Sequence, residues 1–264
     1  MIKTPLRYPG GKSRAIKTIA PLIPEFKEYR EPFVGGGSVF FYVKQEYPNK
    51  QYWINDRYFK LYHFWNQSKN NLDKVVEQVI KWRERFKEGR ELHKFLMRHI
   101  SSFNHLETAS AFFILNRITF SGTSESGGYS NQAFLNRFTP SSIERLKVID
   151  RVLDNTKITN LDFQEVVESD GEEVFLYLDP PYYTATKSAL YGKNGNLHKG
   201  FDHERFARVM QNTKHQWLIT YDNSDYIREL FSFANIFTWE LTYGMRNVKK
   251  GIGLKEKEIF ISNY

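Results

Sequence analysis

The chain has 264 residues, of which 41% are hydrophobic and 16% aromatic, so it is long enough to bury a large core. It contains no cysteine, which excludes a disulfide scaffold, cysteine-zinc sites and enzymes that use a thiol nucleophile. A net charge of +8 suits an anionic partner, although an ordinary basic surface has the same composition.

Segments of strand and helix character alternate along much of the chain. A helix is predicted after Ser13, with apolar residues on one face, and it stops near Pro24. Strands that alternate with helices form mostly parallel sheets with helices on both faces, so the predicted fold class is α/β. The predicted strands are 29–34, 51–55, 157–161, 174–178, 216–221, 234–241 and 257–262, and further helices are predicted at 37–47 and 203–212.

The stretch 57–156 breaks this alternation. Apolar residues recur there with helical spacing in 71–86, 91–103 and 107–118. A polar loop rich in glycine and serine, 121–132, follows the last of these segments and is expected to be exposed. We interpret the stretch as a helical insertion between the second and third strands of the sheet.

Neither a membrane span nor a secretion signal is expected. The chain has no run of about 18 apolar residues, and its first residues, MIKTPLRYPGGKS, lack the apolar core of a signal peptide. With the absence of cysteine, these features predict an intracellular, cytoplasmic protein. The seven histidines show no spacing typical of metal ligands, so no metal is expected.

Two early strands end in residues suited to holding a ligand. Three glycines, 35–37, join a strand to a helix and allow a ligand to approach the backbone. Asp56 ends the next strand about twenty residues later, where an acid can accept hydrogen bonds from ribose hydroxyls. A structural turn and a helix cap are the alternatives, but the two features together favour a nucleoside cofactor.

The apolar strand 174–178 leads directly into Asp179-Pro180-Pro181-Tyr182. An exocyclic amino group on a nucleobase is a poor nucleophile because its lone pair is delocalised into the ring. A carboxylate and a backbone carbonyl that accept its two N–H groups would free that lone pair, and the prolines would fix the carbonyl. Tyr182 offers a face on which a base can stack. The alternative is a rigid turn with locally packed tyrosines.

Four segments in this order, LRYPGGKS, REPFVGGGSVFF, NDRY and YLDPPYY, resemble the Dam-related DNA adenine-N6 methyltransferases, the D12 class of the alpha group. The resemblance covers essentially the whole chain and is strongest at 5–60 and 174–186. It implies a class I S-adenosylmethionine-dependent methyltransferase fold, with a mostly parallel seven-stranded sheet and an antiparallel last hairpin. It also implies a catalytic, cofactor-binding domain made of 1–56 and 157–264, and a DNA target-recognition insertion at 57–156.

The resemblance implies S-adenosylmethionine as the cofactor and assigns roles to individual residues. Asp179 and Pro180 polarise N6 of the target adenine, Tyr182 stacks on the base, and the methyl group is transferred directly without a metal. Asp56 binds the ribose of the cofactor. The implied cofactor contacts are Tyr8, Gly10, Gly11, Lys12, Glu31, Phe33, Gly35, Gly37, Asp56, Asp162, Phe163 and Asp179.

A base inside duplex DNA cannot reach these groups, so the target adenine has to be flipped out of the helix. Members of the family fill the vacated space with an aromatic side chain, and the segment NRITFSG resembles the one that carries it. Phe120 is therefore the candidate wedge, and a core aromatic at the end of the preceding helix is the alternative. The candidate DNA contacts are Arg7, Arg117, Phe120, Tyr129 and Arg137, with Lys147 as a further basic candidate.

One departure from the family concerns the recognition sequence. Relatives that recognise GATC carry an arginine shortly after this segment, whereas Glu125 or its neighbours stand here. Arginine reads guanine, and a glutamate can accept a hydrogen bond from N4 of cytosine. A GATC target therefore does not follow from the resemblance.

Several alternatives share the amino-group chemistry. An N4-cytosine methyltransferase is the nearest, and an RNA adenine methyltransferase is a second, although the acid that heads the Asp179 segment and the motif order favour DNA adenine. A non-enzymatic nucleic-acid-binding module is the third. The expected partner is double-stranded DNA, with no membrane association, and the protein is expected to act as a monomer. The sequence leaves open whether a cognate restriction endonuclease exists, and such a partner would need no direct contact.

Overall fold

The strand segments form one seven-stranded sheet. The computed structural model describes residues 1–184, 200–241 and 256–264. The strands are β1 Glu28–Glu31, β2 Gln51–Asn55, β3 Thr156–Thr159, β4 Val174–Leu178, β5 Gln216–Asp222, β6 Asn235–Leu241 and β7 Glu256–Ser262. Every predicted strand is present, and two of them, 51–55 and 174–178, have the predicted bounds.

The order of the strands is β3-β2-β1-β4-β5-β7-β6. Neighbours from β3 through β5 run parallel, whereas β7 runs antiparallel to both β5 and β6. This confirms the predicted mostly parallel sheet with a reversed hairpin at its end. The order reverses between β1 and β4, and in open α/β sheets ligands bind at the carboxyl ends of the strands next to such a reversal.

Helices cover the sheet and fill the insertion. In the part of the chain that the structure describes they are α1 Ile16–Ile19, α2 Ser38–Glu46, α3 Phe59–Asn70, α4 Leu72–Arg85, α5 Gly89–His99, α6 His105–Ile118, α7 Asn131–Arg137, α8 Pro140–Leu146, α9 Asp150–Leu153, α10 Phe163–Glu168, α11 His203–Asn212 and α12 Asp225–Leu230. None of these described helices is long and apolar enough to cross a membrane.

Strand β4 is buried on both faces, which explains its continuous apolar sequence. Phe175 and Tyr177 point into the core layer formed with α2 and the insertion. Leu176 and Leu178 point into the opposite layer, where they pack with Phe206 of α11. Side chains that alternate between two faces thus build a three-layer sandwich of helix, sheet and helix.

The insertion helices α3 to α9 lie between β2 and β3 in the chain and share a core with the sheet. Trp65 of α3 packs on Phe41 of α2, with ring centres 5.8 Å apart, and its indole N–H donates to the carbonyl of Gly35 at 3.1 Å. Helix α6 begins with a capping box between Asn104 and Glu107 and is buried along most of its length. The domain limits 1–56, 57–156 and 157–264 remain a proposal.

Asn55 joins the ends of three strands through a fully bonded buried amide. Its Nδ2 donates to the carbonyls of Pro32 and Leu161, at 3.0 and 3.1 Å. Its Oδ1 accepts the hydroxyl of Thr159 at 2.7 Å and the amide of Leu161 at 2.8 Å. Because all its donors and acceptors are used, Asn55 fixes the loops that follow β1, β2 and β3 relative to one another.

We expect Asn55→Ala to lower the free energy of unfolding by about 3 kcal/mol, because the substitution leaves several buried polar groups without partners. Urea denaturation of both proteins measures the difference. Asn70→Ala, on the exposed surface of α3, is the matched control and is expected to change stability by less than about 0.5 kcal/mol. Equal effects of the two substitutions would contradict the role of Asn55.

Candidate active site

Three acidic side chains lie at the carboxyl edge of the sheet. Glu31 ends β1, Asp56 follows β2 and Asp179 follows β4, and these strands are neighbours. Burial, and then the charges of Asp179 and Asp56, raise the pKa of Glu31 well above its usual value, although a hydrogen bond from Tyr29 opposes the shift. The raised pKa favours the neutral form of Glu31, so the negative charge of this edge comes from Asp56 and Asp179, and it suits a cationic group.

Lys12 lies at the centre of this edge and is only 3% exposed. Its Nζ is 2.8 Å from Oδ1 of Asp179 and donates to the carbonyl of Gly10 at 2.9 Å. The same nitrogen lies 3.9 Å from Oε1 of Glu258 on β7 and 5.0 Å from the centre of the Tyr182 ring. A buried ammonium needs such acceptors, and here it binds the acid that the sequence predicts to be catalytic.

The glycines after β1 have positive φ values and close contacts that would be unfavourable for a residue with a Cβ. Gly35 and Gly37 have φ values of +47° and +69°. A Cβ at Gly35 would lie 2.9 Å from the Tyr8 ring, and one at Gly37 would lie 3.2 Å from the Trp65 ring. The predicted N-terminal turn is closed by the amide of Gly11, which donates to the carbonyl of Tyr8 at 3.0 Å. Two predicted cofactor loops therefore lie against each other.

The carboxylate of Asp56 is held by backbone amides at the opening of this glycine turn. Oδ2 accepts the amide of Gly35 at 2.9 Å, and Oδ1 accepts the amide of Tyr58 at 2.9 Å. Burial raises the pKa of Asp56 to about 6, although the two amide hydrogen bonds oppose the shift. Each oxygen retains a further lone pair, so the carboxylate can still accept hydrogen bonds from a ligand's hydroxyls.

Aromatic rings form the next part of the site. Phe33, Phe163 and Phe201 lie within 5.6 to 5.8 Å of one another, measured between ring centres. Asp162 precedes Phe163, caps α10 and forms an ion pair with Arg205 at 2.5 Å. The structure thus brings Phe33 and Phe163 together as predicted candidates, and it uses Asp162 to hold the helix on which Phe163 lies.

Asp222, at the end of β5, holds the loop that follows Pro180. This buried side chain accepts the amide of Tyr183 at 2.7 Å and the amide of Thr184 at 3.4 Å. Tyr182 packs near Tyr221, with 5.9 Å between ring centres. Asp222 thereby fixes the backbone immediately after the predicted stacking residue Tyr182.

The two candidates in the segment NRITFSG, Phe120 and Arg117, differ in their exposure to solvent. Phe120 is 62% exposed, so the alternative that it is a core aromatic is wrong. Arg117 is only 4% exposed, donates to the carbonyl of Pro5 and packs over the Phe113 ring. Burial, and then the charges of neighbouring arginines, lower its pKa to about 9.

The other basic candidates surround the same region. The backbone N–H and carbonyl of Arg7 both bond to the side chain of Asn116, at 2.9 and 2.6 Å. Arg137 is exposed on α7, and its charge adds to burial in lowering the pKa of Arg7. Tyr129 is half-buried, and Lys147 is exposed beyond α8.

Glu125 does not face open solvent as a base-reading residue would. One carboxylate oxygen accepts the hydroxyl of Tyr58 at 2.6 Å, and the other forms an ion pair with Lys60. The side chain is 10% exposed. The expectation that Glu125 itself is free to accept from N4 of cytosine is therefore not supported by its position.

Three polar residues of this site were not predicted from the sequence: Asn116, Asp222 and Glu258. Each lies within or at the end of an apolar segment, and each is buried. The sequence signal for such a residue is a polar side chain inside an apolar segment. A polar side chain that is buried there needs a hydrogen-bond partner. The partner itself lies at least 38 residues away in two of these cases, because Asn116 bonds to Arg7 and Asp222 to the loop after Tyr182.

Comparisons with known proteins agree with one another. The sequence model of the D12 class N6 adenine-specific DNA methyltransferases matches residues 8–245. The type II methyltransferase M.MjaIII of Methanocaldococcus jannaschii is 29% identical over 209 residues, which cover 72% of each chain. The type II methyltransferase M1.LlaDCHI of Lactococcus lactis subsp. cremoris is 26% identical, covering 98% of this chain and 94% of its own. A DNA adenine methylase of Vibrio cholerae is 25% identical, covering 72% and 70%.

We expect Asp222→Ala to expose the amides of Tyr183 and Thr184 to hydrogen exchange, roughly tenfold faster than in the native protein, because hydrogen bonds to a charged acceptor are lost. Mass spectrometry of the peptide that ends at 184 measures the rate. Asp225→Ala, an exposed acid in the first turn of α12, is the control. An unchanged rate in the Asp222 variant would show that another contact holds this loop.

Proposed function

Because the chain belongs to the D12 class of N6 adenine-specific DNA methyltransferases, it transfers a methyl group to N6 of adenine in DNA, and we propose that the site described above carries out the transfer with S-adenosylmethionine as donor. The observation that carries this proposal is Oδ1 of Asp179, a buried acceptor that lies 2.8 Å from the Lys12 ammonium in an ion pair but accepts no hydrogen bond from the described part of the chain. An exocyclic amino group would supply the N–H donor that this oxygen lacks.

The residues present fit the proposed cofactor. S-adenosylmethionine supplies a methyl group on a positively charged sulfonium. The carboxylates of Asp56 and Asp179 form a negative edge that attracts such a cation, and the carboxyl group of Glu31 lies on the neighbouring strand end. Asp56 can accept the ribose hydroxyls, and the packed rings of Phe33 and Phe163 offer an apolar surface for an adenine ring. The remaining proposed contacts are Tyr8, Gly10, Gly11, Lys12, Gly35, Gly37 and Asp162.

We propose that the protein activates the adenine amino group with two hydrogen-bond acceptors held in position. Asp179 accepts one N–H of the adenine amino group, and the carbonyl of Pro180 accepts the other. Both interactions draw nitrogen lone-pair density out of the ring and direct it toward the methyl group. Tyr182 stacks on the base, and Asp222 keeps the following backbone in place. No nucleophile of the protein takes part, in keeping with a chain that has no cysteine.

DNA is proposed to lie across the exposed Phe120 and the basic residues near it. Burial, and then the charges of Arg145, Arg7 and Arg137, lower the pKa of Arg117, so these four arginines lie close together. A cluster of guanidinium groups favours backbone phosphates. Phe120 is proposed to fill the space of a flipped adenine, with Tyr129 as a further contact. The buried Arg117 contributes charge to this surface and support to Pro5.

The wider biological role follows the relatives. Type II methyltransferases are among them, and we propose that this protein likewise works beside a restriction endonuclease that recognises the same sequence. It is proposed to act as a monomer on DNA in the cytoplasm, modifying one strand at a time. These proposals rest on the family and on its relatives.

The decisive experiment incubates the protein with tritiated S-adenosylmethionine and unmethylated genomic DNA, followed by digestion to nucleosides. We expect label in N6-methyladenine, and no label with Asp179→Ala, which should still bind S-adenosylhomocysteine within a few-fold of the native affinity. Label in N4-methylcytosine, or in added RNA alone, would overturn the proposed substrate. Cofactor binding without label in any nucleic acid would indicate a binding module.

We expect cofactor affinity to fall about tenfold between pH 7.5 and pH 5. The pKa of Asp56 is about 6, so the carboxylate that accepts ribose hydroxyls is ionised above that pH and becomes protonated below it. Calorimetric titration with S-adenosylhomocysteine measures the affinity. Asp56→Asn should bind more weakly at pH 7.5 and lose this pH dependence. A dependence retained in the variant would assign the titration to another group.

A further inference from the structure

The loop that carries Phe120 is closed by backbone bonds but contains unfavourable conformations. Thr119 and Tyr129 pair in an antiparallel bridge, and the amide of Phe120 donates to the carbonyl of Gly128 at 3.2 Å. Inside the loop, Ser121 and Ser124 have φ values of 53° and 51°. Residues with a Cβ rarely adopt such values, so contacts outside the loop have to hold this conformation.

Asn116 supplies one of these contacts. Its Nδ2 donates to the carbonyl of Gly122 in the loop at 2.9 Å, and also to the carbonyl of Arg7 at 2.6 Å. A Cβ added at Gly122 would collide with that same carbonyl of Arg7. The first half of the loop therefore lies directly against the segment that leads into the turn at Tyr8.

Glu125 supplies the other contact, from the second half of the loop. Its two carboxylate oxygens bond to the hydroxyl of Tyr58, at 2.6 Å, and to the ammonium of Lys60. Burial, and then the charge of Glu125, raise the pKa of the Tyr58 hydroxyl, so Tyr58 remains a hydrogen-bond donor. Both partners of Glu125 belong to the segment that begins immediately after Asp56.

Tyr58 is held from both ends. Its backbone N–H donates to Oδ1 of Asp56 at 2.9 Å, and its ring packs edge-on against Phe112, with centres 5.8 Å apart. A continuous path of hydrogen bonds thus runs from Asp56 through Tyr58 to Glu125 and the loop. A ligand that orders Asp56 also orders the Tyr58 segment, to which Glu125 is bonded. Part of the conformational entropy that the loop loses on becoming ordered is then already lost when the ligand binds.

We propose that Glu125 is a positioning residue, which fixes the loop bearing Phe120 to the Tyr58 segment, so that occupancy of the Asp56 site tightens the loop before DNA arrives. The inference rests on the proposed function, in which Asp56 binds the cofactor and Phe120 contacts DNA. Because binding free energies are reciprocal, DNA that engages the loop also strengthens cofactor binding. Recognition of bases is then left to other side chains of the loop.

The test follows hydrogen exchange of the peptide 119–129 in the native protein, with and without S-adenosylhomocysteine. We expect added S-adenosylhomocysteine to slow exchange in this peptide and in the peptides that contain 31–37 and 54–58. In Tyr58→Phe, which keeps the ring and removes the donor, exchange in 119–129 should be roughly tenfold faster, as expected for the loss of one hydrogen bond to a charged acceptor. The slowing by S-adenosylhomocysteine at 119–129 should disappear, while protection at 31–37 remains.

Two further variants separate a positioning role from a general loss of structure. Glu125→Ala removes the acceptor of both Tyr58 and Lys60, so exchange in 119–129 should be at least as fast as in Tyr58→Phe. The double variant should be no worse than Glu125→Ala, because the Tyr58 bond is already lost there. Tyr62→Phe is the matched control on α3, since its hydroxyl bonds to nothing in the described part of the chain. In steady-state assays on unmethylated genomic DNA, Tyr58→Phe should raise KM for DNA about tenfold and leave the dissociation constant of S-adenosylhomocysteine within twofold.

The outcomes are distinguishable. Protection of 31–37 and 54–58 without any change at 119–129 would overturn this inference and leave the proposed function standing. Unchanged loop exchange in both Tyr58→Phe and Glu125→Ala would also overturn it. If S-adenosylhomocysteine protects none of these peptides, the proposed cofactor site itself is wrong.

Discussion

The ion pair between Lys12 and Asp179 joins the N-terminal segment of the chain to the end of the central strand β4. A buried ammonium is costly unless it is well paired, and Asp179 supplies the carboxylate that pairs with Lys12. The pair thereby holds the N-terminal segment at the carboxyl end of β4. In the same segment, the Tyr8 ring lies close to Gly35 in the loop after β1, the strand next to β4.

Strand order determines where the pair forms. β1 and β4 are adjacent although the insertion and two strands separate them in the chain, and the reversal of order leaves a crevice at their carboxyl ends. Asn55 then ties the loops after β1, β2 and β3 together with a fully bonded amide. The positions of Glu31 and Asp56 relative to Asp179 follow from these backbone constraints.

The part of the molecule that we propose to face DNA is built on the same framework. The loop that carries Phe120 rests on Arg7 through Asn116 and on Tyr58 through Glu125. Both supports immediately adjoin proposed cofactor residues. Glu125 is paired with Tyr58 and Lys60, and a paired carboxylate offers little to a base edge, so we propose that other side chains read the target.

The sequence by itself determined the strands, the fold class, the acidic and glycine-rich strand ends and the family, because these depend on local periodicity, turn chemistry and short motifs. It also named Phe33, Phe163, Asp179 and Tyr182 as candidate site residues. Only the tertiary structure decided which polar groups meet. It buried Arg117, exposed Phe120, paired Glu125 with Lys60, and brought Asp222 and Glu258 to the site. Such pairings join residues far apart in the chain, and a charged side chain looks the same in a sequence whether its partner is water or a buried carbonyl.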